Sequence, residues 1–487
     1  MTLPQGWAVA TLNSIACGVN AIVDGPFGSN LKTSDYIDDT ENGVPVLTTK
    51  NLEGDYSASS VRYISKEKFE SLKRSQVVGG DILVAKIGSI GKTGIYPVSR
   101  PTAMIPANLL KFTVDPNVVK KYVFHFLNCG EFQKTLKGIS SATAQPAFNI
   151  TKFRDLLIRI PPLAEQHRIV AKIDALFSEL DKGVEMLQTV RAQLRTYRQA
   201  VLKWAFEGQL TAIWRKEHLM KSADSIKAFL SCAADECVTM NTYGIDPEFP
   251  TPPLPVNWHW ISIGSLSKGI EYGTSAKSDK TGKVIVLRMG NIQNCGFVYD
   301  DLAYTSDDAE IEKYILNKND VLFNRTNSAE LVGKTAIYLS SVPSIFAGYL
   351  MRVNQISYIN ARYLNYYLNS PNARRCGKIA KTDGVNQANI NGKKLARYPF
   401  PLCSIDEQAA VVVEIESRLS ICDKLEQLVD EILSKAQALR QSILKKAFAG
   451  ELVPQDPHDE PAEKLLERIK AMKATATKTT TAGRARK

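Results

Sequence analysis

Histidine and paired cysteine are scarce in this chain. Its 487 residues hold five isolated histidines, His125, His167, His218, His259 and His458, and eight scattered cysteines with no Cys-x-x-Cys pair. A zinc site needs imidazole and thiolate ligands at short spacing, and a disulfide scaffold needs a dense cysteine framework. Neither pattern is present, so no metal site is expected, and reduced thiols in a cytoplasm are. No apolar run reaches the roughly 18 residues of a membrane span. The opening MTLPQGWAVA lacks the basic-then-apolar layout of a secretion signal. A membrane-bound or secreted protein is therefore not expected.

Catalytic signatures are missing as well. Gly91-Lys92-Thr93 and Gly333-Lys334-Thr335 look like the end of a phosphate-binding loop. That loop needs a glycine five positions before its last glycine, and those positions hold Lys86 and Ser328. A turn before a strand is the expected role, with the lysine free to approach a phosphate. No Gly-x-Gly-x-x-Gly opens a helix, no Asn/Asp-Pro-Pro-Tyr methyltransferase motif occurs, and no cluster of nuclease carboxylates stands out. The chain is not expected to be an enzyme by itself.

What is present is an ordinary globular composition, 44% hydrophobic and 23% charged, with room for three or four domains. Sixty-one Lys+Arg against fifty Asp+Glu leave a charge of +11, which suits a polyanionic partner such as nucleic acid.

The chain also repeats itself. Residues 165–210 align with 407–452 at a constant offset of 242, best at RQAVLKWAFEGQL (198–210) against RQSILKKAFAGEL (440–452). Upstream the likeness is weaker. Pro4 and Trp7 match Pro255 and Trp258, Asn51 matches Asn291, Gly91-Lys92-Thr93 matches Gly333-Lys334-Thr335, and Asn149-Ile150 is aligned with Asn389-Ile390. Two copies of one unit of about 240 residues follow.

The better-kept segment carries apolar residues in alternating steps of four and three. In the first copy these are Ile169, Ile173, Leu176, Leu180, Leu187, Val190, Leu194, Tyr197 and Val201, with Gly183 as the break. In the second they are Val411, Ile415, Cys422, Leu425, Val429, Ile432, Leu439 and Ile443. A 3.5-residue repeat of this length is a coiled-coil seam, and Gly208 and Gly450 are expected C-terminal stops. Each helix is expected to be about 63 Å long at 1.5 Å per residue.

The diverged parts alternate β-rich runs, such as DILVAKIG (81–88) and DVLFNRT (320–326), with turn residues, and each carries a late helix, 118–127 and 361–368. The fold class expected is mixed, α+β. Two similar α/β domains, 1–155 and 254–400, alternate with long helical segments, 156–210 and 401–452. Between the copies lies a linker, 211–253, with a short helix near 222–235. Residues 453–487 are expected to form a short helix and a disordered basic tail.

The PPLAEQHRIV opening (161–170), the RQAVLKWAFEGQL close, the same pair near the C-terminus and a variable domain before each resemble the specificity subunit of a type I restriction–modification system. The second copy departs from the first, since PLCSIDEQ (401–408) inserts two residues. The resemblance implies two target recognition domains joined by two long antiparallel coiled-coil helices in a pseudo-twofold repeat. It implies double-stranded DNA, two methyltransferase (modification) subunits and two restriction (motor–endonuclease) subunits as partners. S-adenosylmethionine, ATP and Mg²⁺ would then belong to those partners, with no cofactor in this chain.

A pseudo-twofold protein meets duplex DNA with one half-site per domain, and different domains imply an asymmetric, bipartite target. Positions shared by both copies cannot read two different half-sites. Asn51, Lys86, Lys92, Asn149, Asn291, Arg325, Lys334 and Asn389 are therefore expected to be framework or phosphate contacts. Base readers are expected where the copies differ, at Thr49, Lys50, Ser89, Thr143 and Gln145, and at Arg288, Asn294, Asn327, Asn386 and Gln387. Two other readings, the recognition part of a fused restriction–methylation enzyme and a coiled-coil protein scaffold, conflict with the missing methyltransferase motif and with the two α/β domains respectively.

Overall fold

The computed structural model describes residues 3–18, 20–26, 30–57, 60–140, 146–218, 225–236, 243–384 and 387–484. The chain divides into two compact units, Met1–Leu187 with Glu431–Lys487, and Gln188–Asp430. The apolar repeat forms the expected long helices, Leu163–Phe206 of 44 residues and Ile405–Ala449 of 45. They start a few residues later than the segments drawn from sequence, because Leu157–Ile160 and Pro399–Leu402 are still strands.

Both helices stop as the glycines predict. Gly208 and Gly450 adopt φ of 71° and 77°. Gln209 N–H bonds back to Trp204 O at 2.8 Å, and Glu451 N–H to Lys446 O at 2.9 Å, so each end closes as a left-handed cap. A side chain is barred there for a second reason. A Cβ on Gly208 would lie 2.3 Å from the Pro255 ring, and one on Gly450 would lie 2.5 Å from that of Pro4.

In the first unit, an antiparallel sheet runs Ile22–Asp24, Leu109–Phe112, Ile82–Ala85, Thr93–Ile95. A second sheet of five short strands includes Val44–Val46 beside Ala103–Met104, in parallel. Ala8–Thr11 pairs with Leu157–Ile160 just before the long helix. The second unit repeats this plan. Its four-stranded sheet runs Ser267–Tyr272, Leu350–Gln355, Val321–Asn324, Thr335–Ile337. Val284–Leu287 lies parallel to Ser344–Phe346, and His259–Ser262 pairs with Pro399–Leu402. The late helices are Lys120–Leu127 and Ala361–Leu368.

The best-kept residues of the repeat build one clasp per unit. Trp7 Nε1 donates to Glu165 Oε2 at 3.0 Å, and Trp258 Nε1 to Glu407 Oε2 at 2.9 Å. Gln166 accepts from Val119 N and donates to Pro161 O; Gln408 accepts from Asn360 N and donates to Cys403 O. Phe448 packs edge-on against Tyr122 at 5.3 Å, and Phe206 against Tyr363 at 5.0 Å. Burying one such aromatic contributes about 1.5–3 kcal/mol, against at most about 1 kcal/mol for an exposed ion pair. The aromatic contact therefore fixes each helix end, and the ion pairs set register.

In the second unit Arg191 meets Asp430 while Arg198 meets Asp423 and Glu426, so the paired helix segments run antiparallel. Shifting Arg198 and Asp423 by the repeat offset gives Arg440 and Asp181, which pair in the first unit.

The seam is sealed unevenly. Ile169, Ile173 and Ile443 are buried in the first unit's core, with Leu176 and Leu180 packed partly against it. Leu187 is half-buried, and Ile432 and Leu439 are exposed. In the second unit Leu194, Val201, Val411, Ile415, Cys422 and Val429 are buried, whereas Val190, Tyr197 and Leu425 are exposed. The expected seam positions are therefore buried at some turns and exposed at others in each unit. Two helices alone leave the flanks of the seam in solvent.

Among its described residues the connecting segment includes the helices Ala212–Glu217 and Ser225–Asp235, and of these the second was expected. The disordered tail expected after a short helix within 453–487 is corrected as far as Arg484: one helix runs from Ala462 to Arg484. Ala462, Leu465 and Ile469 are buried in the first unit's core, and Ala462 N–H bonds to Gly6 O. Packing of Ala462, Leu465 and Ile469 supplies the costly first turns, from which the helix continues.

Candidate nucleic-acid interface

Each Gly-Lys-Thr triplet closes a loop between two strands of the four-stranded sheet. Gly91 N–H bonds to Ala85 O and Ala85 N–H to Lys92 O; Gly333 N–H bonds to Asn324 O and Asn324 N–H to Lys334 O. The glycines need φ of 83° and 87° at this turn. Each lysine thus leaves the returning side of a polar loop, beside the N-terminal part of the helix Gly130–Gly138 or Pro371–Ala380.

A depression opens at this place in both units. In the first unit it is lined by Ser89, Lys92, Asn128, Gln133 and Lys137 among others. In the second it is a cavity of about 520 Å³ whose walls include Asn294, Cys295, Asn327, Lys334, Asn369 and Arg374. The structure therefore gathers Ser89 with Lys92, and Asn294 and Asn327 with Lys334.

Other expected residues lie elsewhere or are already engaged. Asn51 and Asn291 are buried staples. Asn51 accepts from Thr48 N and donates to Asp55 O; Asn291 accepts from Arg288 N and donates to Val298 O and Asp300 O. They hold the short turns Thr49–Glu53 and Met289–Asn291. Thr49 and Lys50 sit on the first of these, with Lys50 exposed. Arg288 is tied to Asp301 across a neighbouring loop.

Lys86 is buried and ion-paired with Asp24 at 2.6 Å. Arg325 donates to Gly348 O and Asn389 Oδ1 and stacks over Tyr272. Of the two roles expected for this pair, framework or phosphate contact, these bonds are those of framework residues. Both cations hold their own units together, and sequence could not show it because Asp24 is distant in the chain.

Asn149 caps the helix Ile150–Arg154 by accepting from Thr151 N. Its structural counterpart is Asn391, which caps Gly392–Ala396, and not the aligned Asn389. Asn389 is a strand residue paired with Thr326, as Ala147 pairs with Ile87. The alignment slips by two residues here because an Asn-Ile pair recurs nearby. Gln387 is exposed. Thr143, Gln145 and Asn386 lie outside the described residues.

The residues missed from sequence are Gln133 and Arg374, at the same place on their helices. Both sit in runs with no recognisable motif, and only the fold brings them to the Gly-Lys-Thr turn. Burial pushes the Arg374 guanidinium down from its usual range; burial and the Arg374 charge do the same to the Lys334 ammonium. Burial also pushes the Cys295 thiol up to about 11. Among the described residues no group of His, Cys, Asp and Glu is placed to hold a metal, and no helix is long and apolar enough to cross a membrane.

Comparison with known proteins matches this two-unit plan. The family model "Type I restriction modification DNA specificity domain" matches residues 27–187 and 255–435. The StySPI specificity subunit of Salmonella potsdam is 24% identical over 496 residues, covering 97% of both chains. The EcoKI specificity subunit of Escherichia coli (strain K12) is 23% identical over 492 residues, again covering 97% of both. A chain from a solved structure of a type I R-M system superposes with a TM-score of 0.63 at 17% identity. It covers 93% of this chain and 100% of that one, and so supports the fold.

Proposed function

Since the chain belongs to the type I restriction–modification DNA specificity family, we propose that each of its two units reads one half of a bipartite, asymmetric DNA target. The chain supplies recognition and not catalysis. Methyl transfer to adenine and ATP-driven cleavage belong to partner subunits, which bring S-adenosylmethionine, ATP and Mg²⁺. Two methyltransferase subunits and two motor–endonuclease subunits fit the twofold character of the repeat. Half-exposed apolar residues such as Tyr197, Leu425 and Leu439 on the helix pairs offer them a surface.

One observation supports this reading above the others. The two units share a clasp built from the same residues, yet differ in the loops beside it. Identical frames orient two recognition surfaces, and differing loops let those surfaces read different bases. The test is to map methylated adenines in host DNA with and without this gene. A split, asymmetric motif that loses its methylation when the gene is deleted is expected. Unchanged methylation, or a continuous palindromic motif, would overturn the proposal.

A further inference from the structure

The second unit's cavity contains an electrostatic imbalance that its counterpart in the first unit lacks. Arg374 and Lys334 both line it. Neither forms an ion pair among the described residues, and the guanidinium makes only one long hydrogen bond, Nη1 to Val332 O at 3.5 Å. Among the described residues no carboxylate lines the cavity. Arg198 on the helical wall is already paired with Asp423 and Glu426. Two sheltered cations facing one space repel each other, and burying them without a counter-charge is costly.

The first unit shows the same place neutralised. Lys92 is paired with Glu53 at 2.5 Å. The position of Arg374 holds Gln133, whose Nε2 donates to Gly91 O at 2.9 Å and to Leu127 O. The cation that remains there, Lys137, is exposed. A shared fold thus carries a charged cavity in one unit and a self-satisfied one in the other.

We infer that Arg374 and Lys334 together bind one phosphate of the DNA backbone, and so anchor the second unit more strongly than the first. This rests on the DNA-recognition reading above. A planar guanidinium offers two parallel donors to phosphate oxygens, and the ammonium adds a point charge. Asn294 and Asn327 line the same cavity, Asn294 at a backbone φ of 46°. A phosphate held at its floor would set the register of the strand past these two amides. Backbone contacts position the duplex and amide side chains read base edges.

The experiment uses the full chain co-purified with its methyltransferase partner. Affinity for a duplex carrying the mapped target, and for an unrelated duplex, is measured across a salt series. Arg374→Gln is the main variant, because glutamine already occupies the equivalent place in the first unit and the fold accommodates it. It is expected to weaken both duplexes roughly tenfold at low salt. The slope of log K against log salt should fall by about one. Arg374→Lys should recover most of the slope, and Lys334→Ala should reproduce the loss.

An unchanged slope with binding intact would overturn the anchor while leaving DNA recognition standing. A loss confined to the target duplex would also overturn it, by making Arg374 a base reader. If inorganic phosphate raised the melting temperature of the parent but not of Arg374→Gln, and the slope were unchanged, the site would serve a free phosphate and the backbone assignment would fail. Absence of any duplex binding by the parent complex would instead sink the recognition reading, and the anchor with it.

Discussion

The two units solve one folding problem with the same residues and then part company wherever solvent or a partner is met. Their clasps superimpose in logic, with Trp7 on Glu165 and Trp258 on Glu407, Phe448 on Tyr122 and Phe206 on Tyr363. Even so, the buried carboxylates are held differently. Glu407 accepts from Trp258, Thr211 and Arg215. Glu165 accepts from Trp7, and its Oε1 is buried with no hydrogen-bond partner among the described residues. Burial accordingly raises the Glu165 pKa, opposed by the Trp7 hydrogen bond. The difference teaches that a repeat conserves the group that must be enclosed, here the Glu-Gln pair, more closely than the means of satisfying it.

Exchanging residues 1–150 for the matching domain of a relative tests the independence of the units and carries the largest expected effect. Because each unit closes its own clasp around its own loops, only one half of the methylated motif should change. Motif mapping checks this, and a change in both halves would break the comparison.

The clasps themselves are predicted to fail by unequal amounts. Arg215→Ala strips a charged partner from a fully buried Glu407 and should cost about 3 kcal/mol. That is the low end for a broken buried pair, since Trp258 and Thr211 remain. Trp7→Phe removes the indole donor to Glu165 and should cost about 1–3 kcal/mol. Trp258→Phe should cost less than Trp7→Phe. Hydrogen exchange resolved by peptide would show each loss in its own unit, and equal losses for the two tryptophan variants would contradict the inequality drawn here.

The smallest effect concerns pH. His125 and Lys121 face Asp174 in the first unit, where Tyr366 and Arg362 face Glu416 in the second. Burial, partly offset by Asp174, holds the His125 pKa below its ordinary value. The folded state thus prefers neutral imidazole. The stability this confers is full above about pH 6.5 and is lost as pH falls through the depressed folded value. The first unit should loosen as pH falls below about 6.5, and the second should not. His125→Tyr should remove the difference; persistence of the acid response in that variant would assign it to other groups.

Much of the frame was legible in the residues alone, because its signals are local. The 3.5-residue apolar spacing marks a long helix wherever it occurs, and Gly208 and Gly450 mark stops because only glycine sits easily at positive φ. The Gly-Lys-Thr turns were legible for the same reason. The residues alone left the outcome open, or pointed the wrong way, where a long-range partner decided it. Lys86 reads equally as framework or as a phosphate contact until Asp24 is folded beside it. The tail after the short C-terminal helix reads as disordered, yet the helix that starts at Ala462 against the first unit's core runs on to Arg484.

The sequence by itself determined that the chain is a doubled unit, where its helices run and stop, and that its charge favours a polyanion. Periodicity, backbone preference and composition are properties of neighbouring residues and of totals. Only the tertiary structure decided which shared polar residues are spent inside the protein and which remain available. It showed Asn51 and Asn291 as staples, Asn391 in place of Asn389 as the capping counterpart of Asn149, and Arg374 set beside Lys334 where the first unit sets Gln133 beside Lys92. Burial and pairing depend on groups brought together across the chain, so they become defined only when the fold closes.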